Sequence, residues 1–385
     1  ARAGNVSIGA EPDTRNSNNT VIIEDSTINT DTHGFQGFGE TPGRGGNVSI
    51  GNITTDVVNI SQGTKIQSET HPHFNSGRNE NGLASASEYL PSPQISYQAG
   101  AGGDISIRGE DVTINDGTQV STTTFGAGVG GDITIDGQTI TIQNADVIAE
   151  TSGATSEAAG GDVFIGVQDV GNTVVIENSQ ISTTTGDTQL KTHFQFNDDP
   201  NSPEFIEPSP PAEFSLTQGD GLDPEFGLAD AGTIIIGNAT ADSITITDGS
   251  NVRATSEKPD LDPGNLAGAA GSVAILGDGN IAISNSTIEN TVVDGDGNNI
   301  SIESGVVEIL NNSSVVANTT GAGNSGSILI QSLQTDANSD TAELLISAST
   351  ISANTNSTDF DAGDAGTVTV ESLNGGDISI LNSGQ

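Results

Sequence analysis

Residues 100–131 read GAGGDISIRGEDVTINDGTQVSTTTFGAGVGG, and they contain the whole repeating pattern of the chain. Two glycines and a polar residue precede an apolar–polar–apolar run that begins at Ile105. A second alternating run covers residues 112–114, and a third begins at Val120 after a tight turn. Alternation with a period of two is typical of a strand with one buried face. Each repeat is therefore predicted to supply three short strands.

The first run recurs ten times along the 385 residues. Its first apolar residue falls at Val6, Val48, Ile105, Ile133, Val163, Ile234, Val273, Ile300, Ile328 and Val368. One such unit cannot bury its apolar edge alone, whereas stacked units pair each strand with its counterpart about 4.8 Å away. The predicted fold is all-β: a three-stranded parallel β-helix of about ten coils of 27–30 residues, forming one solenoid over residues 1–385.

The third strand of each repeat predicts a polar column inside the solenoid. It begins with Ile or Val, has a small residue two positions later, and has Thr two positions later again in most copies. Thr32, Thr70, Thr124, Thr151 and Thr185 should therefore stack inward. Their hydroxyls must find partners there, because an unpaired buried hydroxyl costs about 1–3 kcal/mol.

The turn before the third strand has two lengths. The longer turns contain Gly63, Gly117, Gly249 or Asn312. These residue types tolerate a left-handed backbone, which we expect at the wider corner.

Extra length concentrates after the third strand, at residues 33–45, 71–100, 186–231, 256–270 and 356–365. Because this corner is the same in every coil, the insertions, above all 71–100 and 186–231, should project from one edge of the rod. A smaller insertion, 331–342, lies between strands one and two.

Composition excludes several classes of partner. The chain has 9 Lys and Arg against 51 Asp and Glu, and its formal net charge is −42. Binding of nucleic acid or an anionic membrane requires basic patches, so neither partner is expected. No apolar run approaches the roughly 18 residues that cross a bilayer, so membrane insertion is not expected either. Without Cys there is no disulfide framework and no thiol nucleophile.

Units such as residues 100–131 resemble the repeats of large secreted exoproteins of the filamentous haemagglutinin type, a two-partner secretion family, and especially its cyanobacterial surface-layer-like members. The resemblance implies a right-handed β-helix, export through an outer-membrane partner, and a role as adhesin or surface fibre. It supplies no catalytic residues. We therefore expect a non-catalytic structural fibre or adhesin segment of a secreted bacterial protein, extracellular or on the cell surface, with no required cofactor.

The alternative is a polysaccharide-degrading or carbohydrate-binding β-helix protein, with a surface polysaccharide as partner, because lyases and pectinases share this fold. Such chemistry needs a clustered base and cations, or paired carboxylates in a groove. Lys and Arg are too sparse for this and the outward acids do not converge on one coil, so an enzyme is not expected.

Two candidate metal sites emerge. Asp294, Asp296 and Asn298 place oxygen ligands at alternate positions of a Gly-rich loop, as in the first half of a calcium loop, although the closing Glu is missing. An acidic surface turn is the other interpretation.

The four histidines all fall in insertions at one corner. His33 and His71 follow equivalent threonines in adjacent coils, so their backbones should lie one strand spacing apart. They could share a transition metal, with His73 as a third ligand. The other interpretation is that these are solvated loop histidines.

The chain ends also carry an expectation. The first strand begins close to Ala1, and the chain stops at Gln385 after a second strand without a third. Bare solenoid ends expose strand edges and apolar columns. We therefore expect either a continuation of the same solenoid or end-to-end self-association.

Overall fold

The computed structural model describes residues 3–9, 19–33, 43–71, 100–125, 128–152, 159–185, 230–256, 268–333, 344–356, 363–373 and 376–381. The regular elements of these residues are thirty strands and no α-helix. The strands form three parallel sheets of ten strands each. The chain visits the sheets in turn, which makes a right-handed three-stranded parallel β-helix.

Sheet one contains the first strand of each coil: β1 (Val6–Ile8), β5 (Val48–Gly51), β8 (Ile105–Arg108), β11 (Ile133–Asp136), β14 (Val163–Ile165), β17 (Ile234–Gly237), β20 (Val273–Leu276), β23 (Ile300–Ser304), β26 (Ile328–Ser332) and β29 (Val368–Ser372). Sheet two contains the second strands: β2 (Thr20–Glu24), β6 (Val57–Ser61), β9 (Asp111–Asn115), β12 (Thr139–Gln143), β15 (Thr173–Glu177), β18 (Ser243–Thr247), β21 (Asn280–Ser284), β24 (Val306–Leu310), β27 (Leu344–Ser347) and β30 (Ile378–Leu381). Sheet three contains β3 (Thr27–Asn29), β4 (Thr32–His33), β7 (Lys65–His71), β10 (Gln119–Phe125), β13 (Asp146–Ser152), β16 (Gln180–Thr185), β19 (Asn251–Ser256), β22 (Thr287–Val293), β25 (Ser314–Thr320) and β28 (Thr350–Asn356).

The repeat alignment predicted from sequence is confirmed in every coil. Val6 pairs with Val48, Ile105 with Ile133, and Ile328 with Val368. The remaining first-strand residues pair in the same order. Since each coil contributes the same register, every core position becomes a column of like residues.

The core consists of stacked β-branched side chains. In the fourth coil Ile135, Ile142 and Val147, one from each sheet, have no exposed surface. Alternate residues such as Thr134 and Thr141 face outward and are half-buried. A core this thin needs only alternate residues of short strands, which explains why 32% hydrophobic residues suffice.

The predicted inward threonine column is confirmed. Thr32, Thr70, Thr124, Thr151 and Thr185 are each no more than 2% exposed. Thr32 donates to the Arg44 carbonyl at 3.0 Å, and Thr70 and Thr124 to carbonyls at 3.4 Å. Thr151 differs from the expectation, because its hydroxyl has no partner among the described residues. The column lies where the chain enters the corner, so the acceptors are corner carbonyls.

The two turn lengths differ in backbone conformation. Each longer turn contains two successive left-handed residues, such as Asp116 and Gly117 with φ of 55° and 77°. Asn312 takes the glycine's place in one of them with φ of 64°, as predicted. Each shorter turn has a single left-handed residue, which is Asp or Asn in four coils and Ala348, at φ of 50°, in the ninth. Asp and Asn suit this conformation because their short polar side chains bond locally.

A column of glycines lines the corner before sheet one because backbones approach closely there. A Cβ atom built on Gly131 would lie 2.2 Å from the carbonyl oxygen of Gly103. One built on Gly161 would lie 2.0 Å from the oxygen of Gly131. Asn298 takes the equivalent place in one coil. The glycines of the GGDISI pattern are therefore favoured because neighbouring coils leave no room for a Cβ atom, and not because of their φ angles.

The long insertions connect sheet three to sheet one, as predicted. They separate β4 from β5, β7 from β8, β16 from β17, β19 from β20 and β28 from β29. The segment between β26 and β27 is 333–343, slightly later than the predicted 331–342, because β26 extends to Ser332. Most of the inserted residues, including 72–99 and 186–229, lie outside the described part of the chain.

Candidate functional site

The outer face of sheet three carries a matched set of polar side chains at the first two coils. Asn29 pairs with Gln67, and His33 pairs with His71. The same offset of 38 residues sets Asp31 opposite Glu69. The prediction that the backbones of His33 and His71 are neighbours in the ladder is therefore confirmed. The first two coils thus place an amide, a carboxylate and a histidine at matching alternate positions of the chain.

The described side chains of this face converge. One ligand atom from each of Asp31, Glu69 and His71 lies within 4.8 Å of the other two. His71 Nε2 lies 3.1 Å from Glu69 Oε2, and these side chains are only 12% and 23% exposed. Two amides orient the carboxylates: Asn29 Nδ2 donates to Asp31 Oδ2 at 2.7 Å, and Gln67 Nε2 donates to Glu69 Oε1 at 3.3 Å. We call Asp31, Glu69 and His71 the coil-one clamp.

Sequence reasoning found only one member of this group. His71 was a predicted ligand, whereas Asp31 and Glu69 were not considered, and His73 lies outside the described residues. The signal was present in the repeat alignment, which places Asn29-x-Asp31-x-His33 beside Gln67-x-Glu69-x-His71. A comparison of the histidines alone does not reveal the carboxylates, which lie two positions earlier in each coil.

The predicted calcium ligands have other partners. Asp294 Oδ1 accepts the Ala322 N–H at 3.0 Å, and Asp296 Oδ1 accepts the Asn324 N–H at 2.8 Å, both from the following coil. Asn298 faces the other way and donates through Nδ2 to the Ala270 carbonyl at 2.8 Å. The three side chains tie neighbouring coils together, with the two carboxylates bonded to one coil and the amide to the other. Calcium at this loop stays a prediction.

A ladder of aspartates runs along the corner before sheet one. A side-chain oxygen of Asp104 accepts the Asp132 N–H at 3.2 Å, and one of Asp132 accepts the Asp162 N–H at 2.9 Å. Three carboxylates therefore stack on consecutive coils. Burial raises the pKa of the Asp132 carboxyl above its ordinary value, and the charges of Asp162 and Asp104 raise it further, against the hydrogen bond from Asp162.

This arrangement predicts that Asp132→Asn stabilises the fold near neutral pH by about 0.5–1 kcal/mol, since like charges opposite one another destabilise a sheet by such amounts. Asparagine keeps the acceptor and adds a donor, as Asn47 Nδ2 donates to Asp104 Oδ2 at 3.3 Å. The folded state of the parent holds this proton more tightly than the unfolded state. The advantage of the variant should therefore shrink as pH falls through the raised pKa toward about 4.

Urea unfolding at several pH values measures this effect. Asp146→Asn is the matched control, because Asp146 pairs with Gln119 and Gln180 and faces no acid across the ladder. A stability gain for Asp132→Asn that is independent of pH would contradict the stacked-charge explanation.

A buried acid also lies beside one of the few basic residues. Asp136 is 1% exposed, and its Oδ1 accepts the Gln168 N–H at 3.1 Å. Arg108 donates to Gln168 Oε1 at 3.0 Å and lies 3.5 Å from Asp169 Oδ1. Burial raises the pKa of Asp136, while the Gln168 hydrogen bond and the Arg108 charge oppose the rise. These contacts close the corner between sheets one and two.

The last described coil exposes core positions that are buried elsewhere. Ile378 and Ile380 of β30 are 43% and 67% exposed, whereas their partners Leu344 and Ile346 in β27 are 0% and 4% exposed. β28, β29 and β30 are each the last strand of their sheet in the described part of the chain. At the other end Val6, Ile8, Val21 and Ile28 are partly buried. The end that includes β30 is called the terminal face below.

A shallow polar hollow lies on sheet three near this face, lined by Asn318, Thr320, Asn354, Thr355 and Asn356. Its walls offer amide and hydroxyl groups. These groups suit hydrogen bonding to a polar ligand such as a sugar.

No family model, no curated protein and no solved structure matches this chain. The described residues include no helix that is long and apolar enough to span a membrane.

Proposed function

We propose that this chain is a length of non-catalytic structural fibre or adhesin of a secreted bacterial surface protein. It works as an extracellular rod that is extended at its terminal face by a further coil of the same kind. The observation that supports this proposal best is the exposure of Ile378 and Ile380 above a fully buried column. A following coil would cover both.

Two properties of the terminal face favour axial growth. It ends in β28, β29 and β30, each the last strand of its sheet among the described residues, and the edge of a sheet is a template for another strand. It also exposes the inward-column residues Ile378 and Ile380 at 43% and 67%, so a following coil would remove apolar surface from water.

The sides of the rod have the opposite character. The formal charge of −42 makes two rods repel each other side by side, most strongly at low salt. The apolar terminal face is the place where this repulsion can be outweighed. A second copy of the chain supplies this further coil.

The test measures the mass of the intact chain by analytical ultracentrifugation at micromolar concentration and about 0.15 M salt. We expect end-to-end oligomers, visible as elongated rods by electron microscopy. Ile380→Lys should weaken association at least about tenfold, because it places a charge on the face to be covered. Ser379→Lys is the matched control, since Ser379 lies on the other side of the same strand. A monomeric parent chain, or equal association of both variants, would argue against stacking.

The polar hollow favours carbohydrate binding as the second candidate. Incubation with acidic and neutral polysaccharides separates the classes: turnover indicates an enzyme, and saturable retention without turnover indicates a binding module. Retention through the hollow should be lost in Asn354→Ala and kept in Thr350→Ala, which lies four residues earlier on β28 and outside the hollow. Absence of both turnover and retention is the result expected for the structural rod.

A further inference from the structure

We propose that the coil-one clamp binds a divalent transition-metal ion of the zinc class, and that the ion fastens the first coil to the second. The proposal is independent of the fibre function. It rests on the convergence of one imidazole and two carboxylates from adjacent strands.

The donor set has the chemistry of such a site. Zinc takes His nitrogen and Asp or Glu oxygen, and imidazole favours zinc-class ions over calcium and magnesium. A tetrahedral site with bonds of about 2.1 Å places its ligand atoms about 3.4 Å apart. His71 Nε2 and Glu69 Oε2 are already 3.1 Å apart. The full group spans up to 4.8 Å, so the exposed Asp31 side chain must close by roughly 1 Å to complete the geometry.

Neighbouring amides hold the two carboxylates of the clamp in place. Metal-binding carboxylates are usually held by hydrogen bonds to neighbouring polar groups. Here Asn29 holds Asp31 and Gln67 holds Glu69, each from two positions earlier on its own strand. One oxygen of each carboxylate therefore accepts a hydrogen bond from an amide, and the arrangement is the same on both coils.

The pattern is confined to these two coils. At the same three outward positions the next strand, β10, has Ser121, Thr123 and Phe125. No other strand of sheet three combines an amide, an acid and a histidine there. The register places the two copies side by side, with His33 adjacent to His71 in the ladder. A generally acidic surface would not produce this placement.

The clamp lies at one end of the described solenoid, where the first coil is less well buried than the coils that follow. Sheet three is interrupted in the first coil between β3 and β4, at residues 30–31, and Val6, Val21 and Ile28 are only partly buried. A metal held by Asp31 on one side and by Glu69 and His71 on the other would bridge the two coils. Binding to the folded state alone would stabilise the first coil.

The first test titrates Zn²⁺ into the chelator-treated full chain by calorimetry, with excess Mg²⁺ to occupy the diffuse acidic surface. We expect one saturable Zn²⁺ per chain. Glu69→Gln and His71→Ala should each weaken it at least about tenfold, which corresponds to about 1.4 kcal/mol. Glu150→Gln is the control, because Glu150 occupies the same column of sheet three two coils along. Equal weakening by Glu150→Gln and Glu69→Gln would overturn the proposal.

The second test distinguishes a metal site from a merely structural ion pair. Amide hydrogen exchange of residues 27–33 should slow severalfold when Zn²⁺ is added, while residues 350–356 of β28 remain unchanged. Glu69→Gln should abolish the slowing although circular dichroism shows it folded. Protection of residues 27–33 that is the same with and without Zn²⁺, or that persists in Glu69→Gln, would refute the clamp.

Discussion

Replacing Ile135 by alanine is expected to lower the free energy of unfolding by about 3–4 kcal/mol, within the range for Ile→Ala in a close-packed core. Ile135 has no exposed surface and stacks between Ile107 and Ile165 in sheet one. The cavity left by the missing side-chain atoms cannot close, because hydrogen bonds to the strands on both sides fix the spacing between coils. The loss should appear as a lower urea midpoint by circular dichroism.

The matched control is Thr134→Ala on the same strand. Thr134 faces outward between Ser106 and Phe164, so its truncation should change stability by no more than about 0.5 kcal/mol. Coils are stabilised by their neighbours, so the damage at Ile135 should also raise hydrogen exchange in β8 and β14 before it reaches β28. Similar losses for Ile135→Ala and Thr134→Ala would contradict the assignment of inward and outward faces.

Gly131→Ala is expected to cost about 2–3 kcal/mol although it adds a single methyl group. Its Cβ would lie 2.2 Å from the Gly103 oxygen, and contacts under 3.0 Å essentially do not occur, so one coil must shift against the next. Overpacking of this kind costs roughly 1–3 kcal/mol. Asn298 occupies the same column in another coil, so local displacement, not loss of folding, is the expected response.

Gly117→Asn is the control for this second prediction. Nothing lies within 4 Å of a Cβ on Gly117, and its φ of 77° is one that asparagine accepts, as Asn312 shows at 64° in an equivalent turn. The substitution should stay within about 0.5 kcal/mol of the parent. Thermal unfolding of the two variants separates glycine required by space from glycine required by φ. A neutral Gly131→Ala would mean that the coils are less closely spaced than described.

Much of the candidate site follows from the same alignment that predicts the fold. The adjacency of His33 and His71 comes from counting residues after the third-strand Ile, and it is confirmed. Asp31 and Glu69 share that register, so the clamp could have been predicted by comparing all outward positions between coils. The contacts of Asp294 and Asp296 could not have been predicted in this way. A Gly-rich acidic loop has the same sequence pattern whether its carboxylates bind an ion or accept N–H groups from the next coil.

The sequence by itself determined the three strands per coil, the ten coils, the inward columns and the corner that carries the insertions. It could do so because stacked coils repeat one local environment, so each position is specified about ten times over by residues of one kind. Tertiary structure alone decided how side chains of adjacent coils bond to one another. The convergence of Asp31 with Glu69 and His71 and the raised pKa of Asp132 are of this sort. These depend on rotamers, corner geometry and burial between residues that are about 30 to 70 positions apart in the chain, and alternation along a strand does not encode them.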